Sequence, residues 1–229
     1  MSHNTTPHDI CAYCGEPACT VDHVPPRCLF TPPLPSNLIT IPACKNCNNG
    51  ASDDDEVFRN ELSIMAGSFR ESANAAERLQ PSLRSMRRNK ATRKRVVGAR
   101  PVERYSAGGI YLGYGYAVPM TPDAHNRVLT RIVRGLYWHH FEARLGKDAC
   151  IELVLIDKTK PNWEGALSVL KRLQPKHVQV GDGQPFRYFY GRAVDDASFS
   201  FWLLVFFEGA GEKIILAHTH ADSAPPAIS

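Results

Sequence analysis

Two cysteine pairs, Cys11-x2-Cys14 and Cys44-x2-Cys47, enclose residues 15–43. With two residues between them, both sulfurs of a pair can reach one tetrahedral centre about 2.3 Å away. Six of the seven cysteines lie within the first 47 residues. In a reducing compartment such crowding indicates a metal rather than disulfides. The intervening text is rich in Pro and Asn, with only short apolar stretches such as Leu38, Ile39 and Ile41. It is expected to form tight loops and a β-hairpin that need a staple. Zinc on four thiolates would contribute on the order of 10 kcal/mol of folding energy. Cys19, Cys28 and Cys150 stand outside the pairs and are expected to be small buried hydrophobes.

Beyond the staple, hydrophobic periodicity predicts an α+β chain in three parts. Residues 1–70 form a zinc-stabilised module, 71–124 a helical, basic connecting segment, and 125–229 a helix packed on an antiparallel sheet. A helix is expected from Ser52, with the hydroxyl as N-cap and the acidic run 53–55 in its first turn. Val57, Phe58, Leu62 and Met65 then mark one apolar face. From His125 to Leu145, Leu129, Ile132, Val133, Leu136, Tyr137 and Phe141 make a second one. Strands are expected at 150–156, 186–190, 199–207 and 213–218, with a short helix from Trp163 to Leu173. Short strands and turns are expected among the glycines and tyrosines of 108–116. No apolar run reaches the length of a membrane span, and residues 1–14 lack the pattern of a secretory signal. The expected location is the cytoplasm.

Charge is unevenly distributed. The segment 84–95 holds Arg84, Arg87, Arg88, Lys90, Arg93, Lys94 and Arg95 and no acidic residue. Those seven of the 27 basic residues leave 20 against 23 acidic ones elsewhere, so the net +4 comes from one patch. A patch of this kind is suited to a phosphate backbone.

Between the cysteine pairs lie Asp22-His23-Val24-Pro25-Pro26 and Asn37-Leu38, and Asn48 follows Cys47 directly. Over roughly residues 11–65 the chain resembles the HNH endonuclease family, whose pattern runs D-H-x-x-P, N-L, then C-x2-C-H. Asn48 stands where that pattern has its last histidine, as in the branch typified by a phage recombination endonuclease. The resemblance implies a ββα-metal fold, one catalytic divalent ion, and cleavage leaving a 5′ phosphate and a 3′ hydroxyl. It also implies that Asn37 holds the loop orienting His23.

The chemistry of the residues agrees with that expectation. Asp22 offers a carboxylate oxygen and Asn48 an amide oxygen, hard donors that suit Mg2+ or Mn2+. His23, next to Asp22 on an extended strand, points to the opposite side. An imidazole is suited to act as general base near neutral pH. The expected partner is DNA, with RNA as a further substrate, no membrane, and a homodimer or partner protein through residues 125–229. Two other functions fit the same residues: a non-catalytic zinc hairpin that only grips nucleic acid, and a nuclease effector of a defence or restriction system with a C-terminal sensor. His139, His140 and the aromatic strands are expected to serve packing or surface. His218-x-His220 shares one strand face without a visible third ligand.

Overall fold

The structure, a computed structural model, describes residues 9–67, 82–85, 87–90, 93–94, 98, 100–106, 108–117, 121–156, 163–165, 168, 175–181, 186–207 and 213–221. Arg95, the side chain of Met65 and most of the expected 163–173 helix lie outside the described residues.

Strands β1 (Thr20–Val24) and β2 (Ile39–Ala43) form an antiparallel hairpin with Asp22 opposite Ile41 and His23 opposite Thr40. Burial follows the two-residue period: Asp22, Val24, Ile39, Ile41 and Ala43 face inward, while Val21 and Thr40 are exposed. A short helix α1 (Lys45–Asn49) leads into α2 (Ser52–Gly67), which begins where expected.

The capping of α2 differs from the expectation. Asp55 N–H donates to Ala51 O, which puts Ala51 at the cap, and Ser52 Oγ donates back to Asn49 O. The carboxylates turn instead to helix α3 (Pro122–Phe141). Asp54 accepts two bonds from Arg127 at 2.7 and 2.8 Å, and Asp55 accepts one from Arg131 at 2.5 Å. Two arginines four residues apart on the facing helix offer charge-assisted bonds, which are stronger than a bond from a neutral backbone N–H.

Strands β3 (Arg100–Tyr105) and β4 (Tyr111–Ala117) form a separate hairpin with exposed tyrosines. Helix α3 starts three residues before the expected position, with Pro122 in the first turn, where its missing N–H costs nothing. It ends at Glu142, whose φ of 48° is left-handed. Leu129, Ile132, Val133, Leu136 and Tyr137 are buried as the periodicity predicts.

The rest of the chain is a five-stranded antiparallel sheet of β5 (Cys150–Ile156), β6 (Lys176–Val180), β7 (Phe186–Arg192), β8 (Ser200–Phe206) and β9 (Lys213–His220), in the order β5-β9-β8-β7-β6. Central β8 is buried at every residue, the physical cause of its unbroken apolar run from Phe201 to Phe206. Trp202, Leu204 and Phe206 belong to the cluster containing α3, while Phe201, Leu203 and Val205 join Ile156 and Ile214 in a second cluster. The aromatic strands pack as expected: Tyr190 stacks on Trp202 at 5.4 Å, and His140 stacks on Tyr190 at 3.8 Å. Burial drives the pKa of His140 down to about 4, so it stays a neutral packing group.

The cluster around α3 also takes in Val24, Ile41, Phe58 and Leu62, so it crosses the divisions expected at 70 and 124. Gly135 lets the hairpin come this close. A Cβ there would meet Val24 Cγ2 at 2.6 Å. Among the described residues, no helix is long and apolar enough to cross a membrane.

Candidate functional site

The Sγ atoms of Cys11, Cys14, Cys44 and Cys47 all lie within 4.8 Å of one another, and Cys14 and Cys44 are 3.7 Å apart. Tetrahedral zinc with arms of about 2.3 Å sets sulfurs about 3.8 Å apart, so the cluster has the size a zinc ion requires. All four are free thiols. The knuckle at Cys11 is closed by Cys11 N–H to Glu16 O and Gly15 N–H to Cys11 O, with Gly15 at a φ of +84° that favours glycine. Cys44 heads α1, and its Sγ accepts from Cys47 N–H at 3.4 Å. That N–H is the main cause holding the Cys44 thiol at about 7, whereas burial and the neighbouring thiols push Cys47 well up. Crowded thiols of this kind ionise together only around a cation.

The other cysteines depart from expectation. Cys19 is exposed. Cys28 is half-buried with its thiol toward Asp55 O, and burial raises it to about 12. Cys150 is half-buried on the edge strand β5, beside Glu152 and His220. Local text indicates cysteine burial only statistically; which face each strand residue presents is set by the sheet.

Asp22, His23 and Asn48 line one cleft of about 460 Å³, together with Arg27, Asp55, Glu56 and Arg59. Asp22 is buried on the inner side of β1, and half-buried His23 follows on the outer side. Asp22 Oδ1 accepts from His23 N–H at 2.8 Å, and Oδ2 accepts from Tyr13 Oη at 2.7 Å, with Arg131 Nε 3.7 Å away. A carboxylate has about four lone-pair directions, so these contacts orient Asp22 and still leave room for an ion. Burial opposes the Arg131 charge, but Asp55, Asp22 and Tyr13 hold it above the usual arginine value. Burial raises the Asp55 carboxyl, and Arg131 pulls it back. Asn48 Nδ2 donates to Thr20 Oγ1 and Val21 O, both at 3.1 Å, and Thr20 Oγ1 itself donates to Ala43 O. This fixes the amide nitrogen on β1 and turns Oδ1 away from it; among the described residues Oδ1 has no hydrogen bond.

Asn37 is not part of this cleft. Its Nδ2 donates to Gln179 O at 2.8 Å, and its Oδ1 accepts from Gly181 N–H at 3.0 Å. It anchors the β1–β2 connection to strand β6 rather than to the His23 turn. Both ends of one amide match an unpaired N–H and C=O at a sheet edge, a stronger use than a single local bond. Gly181, at φ +80°, lets Pro35 approach so closely that a Cβ would meet its Cγ at 2.8 Å.

Glu56 and Arg59 also line a second recess of about 580 Å³ with Arg84, Ser85, Arg88, Asn89 and Lys90. The basic segment is docked on α2 by Asn60 Nδ2 donating to Ser85 Oγ at 2.9 Å and Ser85 Oγ donating to Glu56 Oε1 at 2.5 Å. Arg84, Arg87, Arg88, Lys90, Arg93 and Lys94 are exposed. Three of them, Arg84, Arg88 and Lys90, therefore adjoin the cleft of Asp22 and His23.

Tyr13, Arg131 and Arg59 shape the cleft without having been foreseen. Tyr13 carries a local signal, since it lies inside the knuckle Cys11-Ala12-Tyr13-Cys14. Arg131 carries none, because its partners lie far away in sequence. No family model matches the chain, and neither a curated protein nor a solved structure matches it.

Proposed function

We propose that this chain is a metal-dependent endonuclease of the HNH type that hydrolyses phosphodiester bonds in DNA. The observation that carries this is the convergence of Asp22, His23 and Asn48 on one cleft that adjoins the basic recess. The β1–β2 hairpin followed by helix has the element order of a ββα-metal module, and the four cysteines stand where a structural zinc would pin it.

Asp22 and Asn48 Oδ1 would hold Mg2+ or Mn2+, hard ions that match an oxygen donor set. The bound ion supplies Lewis acidity to the phosphoryl oxygens and the leaving 3′ oxygen. A ring nitrogen of His23 takes a proton from water. The water oxygen then bonds to phosphorus, and the P–O3′ bond breaks. The 3′ oxygen leaves with the electron pair and is protonated from solvent, giving a 5′ phosphate and a 3′ hydroxyl. Arg84, Arg88 and Lys90 hold the flanking backbone.

A non-catalytic grip on nucleic acid is the second reading. Arg131 favours it, because a guanidinium beside Asp22 offsets part of the charge an ion would need. Supercoiled plasmid, incubated with and without Mg2+ or Mn2+, separates the two. Metal-dependent nicking or linearisation by wild type, lost by a factor of at least about 100 in His23→Ala with zinc content unchanged, is the expected result. Binding without cleavage leaves the grip, and cleavage by His23→Ala at the wild-type rate removes His23 as the base.

A further inference from the structure

Edge strand β5 and its neighbour β9 bring four ligand-type side chains together, away from both the knuckles and the cleft. In the β5–β9 register Cys150 lies opposite His220 and Glu152 opposite His218. Residues two apart on a strand share a face, and directly opposed residues have Cβ atoms about 5 Å apart. The four side chains thus form a square block on one face of the sheet. It is the face of Ile214 and Leu216, beyond the end of the second apolar cluster.

Three of the four are already at chelating range of one another, and His218 reaches the set through Glu152. One ligand atom each from Cys150, Glu152 and His220 lie within 4.8 Å of one another. His218 Nε2 is 3.2 Å from Glu152 Oε2, and His220 Nε2 is 3.3 Å from Glu152 Oε1. With metal–ligand distances of about 2.0–2.3 Å, tetrahedral donors stand about 3.3–3.8 Å apart. The two imidazoles lie nearly parallel, 28° between planes, with centroids 5.9 Å apart. His220 Nδ1 is 2.9 Å from Ala221 O. A ring N–H donated to a carbonyl fixes the tautomer that presents Nε2 as an acceptor, the arrangement typical of a metal-ligating histidine.

We propose that Cys150, Glu152, His218 and His220 form a second metal site that takes a zinc-class divalent ion. One thiolate, one carboxylate and imidazole nitrogens suit borderline-soft Zn2+ rather than Mg2+ or Ca2+. The side chains of Glu152, His218 and His220 are 54%, 31% and 32% exposed, so the ion enters directly from solvent. Binding ties edge strand β5 to β9 through side chains as well as the backbone ladder.

The test uses the full chain loaded with zinc, its metal content measured, beside His218→Ala/His220→Ala and Glu152→Gln. Wild type is expected to retain one more zinc per chain than the double histidine variant. Glu152→Gln is expected to bind that ion at least about tenfold more weakly. Added zinc should slow alkylation of Cys150 by about tenfold or more in wild type and leave it unchanged in the double variant. These are differences between variants, so they hold whether or not the four-cysteine cluster is filled. Equal zinc content in wild type and double variant, or alkylation of wild-type Cys150 indifferent to zinc, overturns the proposal and leaves a His–Glu–His ion-pair cluster.

Discussion

Tyr13 donates its phenolic hydrogen to Asp22 Oδ2 at 2.7 Å, joining the first cysteine knuckle to the carboxylate of the cleft. Burial first, and then the Asp22 charge, push the Tyr13 pKa well above the usual tyrosine value, so the phenol remains a donor at any working pH. Whatever orders Cys11 and Cys14 thereby also orders Asp22. Tyr13→Phe should leave zinc content unchanged and raise the Mg2+ concentration for half-maximal cleavage by about 10-fold, the usual cost of losing a group that orients a metal ligand. Metal titrations of plasmid cleavage check this, and superimposable curves would remove Tyr13 from the site.

The recess of Arg84, Arg88 and Lys90 makes a separate prediction about binding. Each phosphate neutralised on duplex DNA adds about −0.9 to the slope of log affinity against log salt. Replacing all three with Ala should flatten that slope by about 2 to 3, with cleavage at saturating DNA little changed. Binding isotherms at several salt concentrations decide it. A slope that does not move would make the segment a solvated helix face.

Acid stability should depend on Glu61, which is buried between α2 and α3. Its carboxylate accepts from Thr121 N–H and Thr121 Oγ1 and lies 2.7 Å from His125 Nε2. Burial raises its pKa, but His125 and Thr121 outweigh burial and hold it below the ordinary glutamate value of 4.5. A depressed carboxylate contributes stability that is present above its unfolded value and lost as pH falls through the folded one. Glu61→Gln should cost about 1–3 kcal/mol at neutral pH, and the gap to wild type should narrow as pH drops below 4.5. Denaturant melts across that range measure it; a constant gap would assign the loss to shape rather than charge.

Gly135→Ala tests how the hairpin meets α3. In an exposed helix interior this change stabilises by about 0.5–1 kcal/mol. Here the new methyl would meet Val24 Cγ2 at 2.6 Å and Ile41 Cδ1 at 3.1 Å. Overpacking of that kind costs about 1–3 kcal/mol, so net destabilisation is expected. Because Val24 follows His23 on β1, cleavage should fall together with stability. A more stable, fully active variant would contradict the packing described.

Local patterns made much of this protein legible. The spacing of the cysteines indicated a four-thiol cluster, because two intervening residues define a knuckle wherever it occurs. The 3.6-residue period placed α2 and α3, since an apolar stripe has to be buried against something. Period two and continuous apolar runs marked β5, β7, β8 and β9. Strand β6, with the text Lys176-His177-Val178-Gln179-Val180, escaped because an edge strand needs no apolar face to gain its ladder.

Partners distant along the chain were another matter. Asp54 and Asp55 read as capping residues until α3 set Arg127 and Arg131 opposite them. Asn37 read as a local brace until strand β6 offered it an N–H and a carbonyl at once. Cys150 and His220 read as a buried thiol and half of an incomplete pair until the register of β5 on β9 made them neighbours. Residue types and periods act over a few positions and are written into the chain. Which side chains meet across the core depends on how helices and strands stack, and that is settled only when the apolar faces close together.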